Sequence, residues 1–78
     1  MTFELDRRRA VWKQLAQEIR RRVELGEYPA GEAIPSTIEL AAEFDVSTST
    51  MRKALVALTE DGTLWAEPGM ATYARDAP

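Results

Sequence analysis

The sequence contains no cysteine and no histidine. Lack of cysteine rules out disulfides and thiolate metal sites. Lack of histidine removes the commonest general base and the commonest metal ligand. Carboxylates are plentiful, but Glu39 is accounted for by a helix cap, and Glu43 and Asp45 have no nucleophile near them. No catalytic constellation emerges, so the expectation is a protein that is not an enzyme and uses no metal or cofactor. Long apolar runs are missing too. None approaches the roughly 18 residues needed to cross a bilayer, and no membrane partner is expected. Met1 to Arg9 lack an apolar stretch followed by a small-residue cleavage site, which argues against a secretory signal and for a cytoplasmic location.

Positive charge is scarce where a nucleic-acid binder would need it. The chain carries −3 overall, with ten basic and thirteen acidic residues. Residues 1–25 hold seven basic and four acidic side chains, whereas residues 26–78 hold three basic and nine acidic ones. Phosphate neutralisation drives nucleic-acid affinity, so composition alone argues against DNA. Any case for it must come from motifs.

At 78 residues the chain makes one domain with an economical core. Val11, Leu15, Ile19 and Val23 recur every four positions between Ala10 and Leu25, the period of a helix stripe. Trp12 and Ala16 widen that stripe, and Gly26 follows where a left-handed cap favours a residue without a Cβ. Glu27 to Glu32 hold Pro and Gly at turn spacing and read as a loop, with Ala33-Ile34 as a very short strand. Ser36-Thr37-Ile38-Glu39 has the form of a capping box, opening a second helix to about Phe44 that buries Leu40, Ala41 and Phe44. Asp45-Val46-Ser47 breaks the chain, and Ser47 caps a third helix to about Asp61, with Met51, Leu55 and Leu58 inward. Two short capped helices joined by a tight break have the form of a helix-turn-helix. Thr63–Glu67 and Ala71–Arg75 then read as two strands with Pro68-Gly69 at their turn. Residues 1–9 read as a flexible basic arm, residues 10–75 as the domain and residues 76–78 as a loose C-terminal end.

The order of particular residues narrows this further. Val11 to Val23, then Gly26-Glu27-Tyr28-Pro29-Ala30-Gly31-Glu32, Ile34-Pro35-Ser36, Glu39-Leu40-Ala41, Val46-Ser47, Thr50 to Leu55, Asp61-Gly62, Gly69 and Thr72-Tyr73 follow one another without a gap. This series resembles the winged helix-turn-helix domain of GntR-type transcription regulators. The resemblance implies a mainly α fold, three helices followed by a two-stranded β-hairpin wing. It also implies a sequence-specific DNA-binding regulator, typically a repressor, that binds a palindromic operator as a homodimer. Since the chain stops just after the wing, the same resemblance implies a reader without an effector domain.

Carried onto this sequence, the family's DNA contacts fall on Ser36, Thr50, Arg52, Lys53 and Gly69. Thr48 and Ser49 join them because hydroxyls at a helix amino end can donate to phosphates or base edges. The third helix would then enter the major groove, with Arg52 and Thr48 to Thr50 near bases and Ser36 on a phosphate. The departures are equally specific: the family usually has arginine where this chain has Ile38 and Thr48, and basic residues on the wing. Together with an outward Trp65 and the acidic second half, they keep a rival open, a winged-helix module that binds a protein partner through its Trp65 face. Arg20-Arg21-Arg22 looks like a basic patch, yet consecutive helix residues point about 100° apart, so an ordinary solvated face is expected.

Overall fold

The computed structural model describes residues 3–67 and 71–75. Three helices come first: α1 (Val11–Glu24), α2 (Thr37–Phe44) and α3 (Thr48–Glu60). Two short strands follow, β1 (Leu64–Ala66) and β2 (Thr72–Ala74), paired antiparallel with Trp65 opposite Tyr73. The expected Pro68-Gly69 turn lies outside the described residues.

Each helix ends for a local reason. Past α1, Gly26 takes φ 80°; its amide donates to the Val23 carbonyl and that of Glu27 to Arg22. These paired bonds satisfy carbonyls that the helix end leaves open. At the start of α2 the capping box is complete. Ser36 Oγ accepts from the Glu39 amide at 3.1 Å, and Glu39 Oε1 accepts from the Ser36 amide at 3.0 Å. Asp45, in the left-handed region at φ 55°, makes the break, and Ser47 Oγ caps α3 by accepting from the Thr50 amide at 3.2 Å.

The core forms where α3 meets α1, α2 and β1. Leu15 and Ile19 of α1, Leu40 and Phe44 of α2, and Met51, Leu55 and Leu58 of α3 are all buried, joined by Leu64 and Ala74 from the hairpin. Val11 and Val23, at the ends of the α1 stripe, are only half-buried against it. The short Ala33-Ile34 element docks on the far side of β2: Ala33 bridges Tyr73, and the Ile34 amide donates to the Thr72 carbonyl at 2.9 Å.

Residues 3–9 differ from the loose arm expected of them. Phe3 packs its ring edge-on against Phe44, with centroids 5.6 Å apart, and Leu5 is half-buried against the core. Asp6 and Gln14 exchange two hydrogen bonds of 2.8 Å. The Arg7 guanidinium donates to the carbonyls of Phe44 and Asp45, two acceptors left open by the end of α2. Two apolar side chains with no period between them give no helix or strand signal, yet they still find apolar surface to cover.

Candidate nucleic-acid interface

On α3 the residues Thr48, Arg52 and Val56 lie four apart, all exposed, and form one outward stripe. Ser49 and Lys53 make the next stripe round the helix and are also exposed. At the amino end the hydroxyls are already busy with one another. Ser47 Oγ donates to Thr50 Oγ1 at 2.9 Å, and the Ser47 and Ser49 hydroxyls lie 3.2 Å apart. Thr48 stands outside this cluster. Ser36, exposed at the start of α2, uses its oxygen to accept from Glu39, which leaves its hydroxyl proton to donate outward. Ser36 and Thr37 share a groove with Leu55 of α3 and with Ala71 and Thr72 beside the wing. The start of α2, the middle of α3 and the wing thus meet on one surface. Gly69 lies outside the described residues.

Arg52 is the cation on the outward stripe of α3. Among the described residues it has no ion pair and no aromatic neighbour. Lys53 is differently engaged: its ammonium sits 5.0 Å from the centre of the Trp12 ring. Lys13, not singled out from the sequence, lies 5.7 Å from the same ring. No short-range pattern signals this pairing, because Trp12 and Lys53 are brought together only by the packing of α1 on α3.

The arginine run is spent elsewhere. Arg20 pairs with Asp61. Arg21 donates twice to Glu18 at 2.8 Å. Arg22 donates to Glu18 at 3.1 Å, to the Tyr28 hydroxyl at 2.7 Å and to Glu43 at 2.6 Å, and its guanidinium lies 4.8 Å from the Phe44 ring centre. The hydrogen bond from Arg21 is the leading reason the Glu18 carboxyl titrates below its ordinary value; burial opposes it, and Arg22 adds to it. Burial works against a charged Arg22, but its bonds to Glu43, Tyr28 and Glu18 raise its pKa above the ordinary value. The solvated face expected of this run is therefore a network joining α1 to α2, with Glu18 buried within it.

Residues 12–74 match the family described as bacterial regulatory proteins, gntR family. The chain belongs to that family. It is 43% identical over 63 residues to the uncharacterized HTH-type transcriptional regulator RB1450 of Rhizobium meliloti, covering 81% of this chain and 26% of that protein. It is 36% identical over 66 residues to the mannosyl-D-glycerate transport/metabolism system repressor MngR of Escherichia coli, covering 85% of this chain and 28% of the repressor. The chain thus spans about a quarter of the length of these curated relatives. Among solved structures, a GntR family transcriptional regulator from Listeria monocytogenes superposes with a TM-score of 0.86 at 26% identity, over 94% of this chain and 64% of that one. The DNA-binding domain of AraR, solved in complex with operator ORE1, superposes with a TM-score of 0.77 at 30% identity, over 92% of this chain and 83% of that one. The winged helix-turn-helix that the resemblance implies is the fold found, and the family is one of bacterial regulatory proteins.

The two remaining departures are both exposed. Ile38 is 71% exposed, an apolar side chain in water where the family usually has arginine. Trp65 is half-exposed on the wing, with its ring 5.6 Å from that of Tyr73. Among the described residues no helix is long and apolar enough to cross a membrane.

Proposed function

We propose that this chain is a sequence-specific DNA-reading domain of a transcription regulator, with α3 lying in the major groove. The observation that carries this reading is Arg52. It projects from the exposed stripe of α3 without a partner among the described residues, while the arginines of α1 are consumed by carboxylates. A guanidinium so placed suits the paired acceptors of guanine. Thr48 and Ser49 lie within reach of the same groove, and the Ser36 hydroxyl would hold a phosphate at its wall. Thr50 contributes mainly through the hydroxyl cluster that sets the end of α3. The operator-bound AraR domain supports the pose, and the repressor name of the MngR relative supports a repressing role. Recognition by a homodimer on two half-sites about one helical turn apart fits a reader with so few basic contacts. A cytoplasmic location is consistent with such a regulator. The protein-binding alternative through Trp65 is the weaker one, because the indole already rests on Tyr73.

The test is selection of a preferred site from a randomised duplex pool, followed by anisotropy titration of that site. Arg52→Ala should weaken the selected site roughly 5- to 150-fold, the loss of about 1–3 kcal/mol expected for one bidentate base contact. A scrambled duplex should lose much less. If the unaltered chain binds no duplex at low salt, the DNA reading fails.

A further inference from the structure

We propose that Lys13 and Lys53, gathered over the ring of Trp12, form a clamp for a backbone phosphate beside the groove that Arg52 reads. The proposal rests on the DNA reading above and adds a second contact from a different helix. Lys13 stands near the start of α1 and Lys53 in the first half of α3, forty residues apart in the chain. The indole brings them together, with ammonium groups 5.7 and 5.0 Å from its centre. Each is within range of the attraction between a cation and an aromatic face.

Three features point to a phosphate. Neither helix carries an acid in the stretch that holds its lysine: Val11 to Gln17 and Thr48 to Thr59 contain neither Asp nor Glu. Neither lysine has an ion pair among the described residues, in contrast to Arg7, Arg8, Arg9, Arg20, Arg21 and Arg22. Two ammonium groups beside one ring, neither of them paired with a carboxylate among the described residues, concentrate positive charge that an anion would neutralise. The direction is also right. Lys53 follows Arg52 by one residue and points about 100° further round α3. With Arg52 toward the base edges, Lys53 faces the side where α1 stands, which is where the groove wall and its phosphates would lie. A lysine ammonium is a compact, hydrated point charge with three rotatable donors, suited to phosphate oxygens rather than to a base. The clamp also accounts for how an acidic chain could hold DNA: the local field is positive although the net charge is −3.

The experiment compares the unaltered chain, Lys13→Gln/Lys53→Gln and Arg52→Ala on two labelled duplexes, the selected site and a scrambled one, across a salt series. The lysine change should weaken both duplexes by the same factor. It should also make the salt slope shallower by about one unit, since each neutralised phosphate contributes about 0.9. Arg52→Ala should act chiefly on the selected site. A second readout needs no lysine variant. With Trp65→Phe, Trp12 is the one remaining indole, and either duplex should change its emission as the ammonium groups turn to phosphate. Unchanged slope and unchanged Trp12 emission, in a chain that still binds the selected site, overturn the clamp and leave the DNA reading standing. No binding of either duplex by the unaltered chain overturns both.

Discussion

Phe44 is the side chain on which the placement of the helix-turn-helix depends most. It closes α2, is 9% exposed, meets the edge of Phe3 and carries the Arg22 guanidinium 4.8 Å from its ring centre. Truncation to alanine should cost about 3–5 kcal/mol, the usual range for a buried phenylalanine. At about 0.05–0.15 kcal/mol per residue, a chain of this length has roughly 4–12 kcal/mol of stability in total. Phe44→Ala should therefore leave a barely folded chain. At about 4–8 °C per kcal/mol its Tm should fall by at least about 12 °C. Phe44→Leu keeps apolar bulk but loses the ring, and should cost about 1–2 kcal/mol. A double-mutant cycle of Phe44→Leu with Phe3→Ala isolates the edge-to-face pair, with an expected coupling of about 0.5–1.5 kcal/mol. Thermal and urea unfolding followed by far-UV circular dichroism measure all five chains. A Tm for Phe44→Ala within about 3 °C of the unaltered chain would refute the burial described here. Zero coupling to Phe3 would refute the docking of residues 3–9.

Restoring the family's usual residues, with Ile38→Arg and Thr48→Arg together, should raise affinity for generic duplex DNA and steepen the salt slope by one to two units, as read by anisotropy; no change would mean that these positions do not face the duplex. The pH response follows from carboxylates that titrate low in the folded chain: Glu18 through Arg21, Glu39 through Ser36, and Asp61 through Thr63. A depressed folded pKa gives stability that is complete above the unfolded value of about 4 and is lost as pH falls through the folded one. With no histidine to titrate in between, Tm should stay nearly flat from about pH 8 to about 5 and drop below about 4. Glu18→Gln should lower Tm at neutral pH and flatten the acid limb, and an unaltered acid limb would contradict the network on α1.

Local chemistry made much of the fold readable. The reciprocal bonds of Ser36 and Glu39 need only the residues three apart, and Gly26 and Asp45 announce left-handed turns whatever the rest of the chain does. The α1 stripe was readable at Leu15 and Ile19, where the helix is fully covered, and less so at Val11 and Val23, where the partner surface runs out. What stayed hidden depends on distant partners. Glu18 looks like a surface residue because its burial comes from Arg21 and Arg22 folding over it, and Arg22 in turn is fixed by Glu43 from α2. At the candidate site, the register placed Arg52 and Thr48 on the outward face. It could not show that Lys53 leans on Trp12, because a helix stripe says which way a residue points and not what waits there.

The short Ala33-Ile34 element has a consequence for solubility. With β1 on one edge of β2 and Ala33-Ile34 on the other, β2 has no free row of backbone donors and acceptors. Among the described residues the open edges of this small sheet are therefore the outer side of β1, three residues long, and that of the still shorter Ala33-Ile34 element. An edge that short offers little template for strand-to-strand association between molecules, the usual route from a small sheet to aggregation. Loosening the Ala33 bridge, for example by Ile34→Pro, which deletes the amide that Thr72 accepts from, would bare β2 as an edge. Such a chain should be more prone to self-association at high concentration.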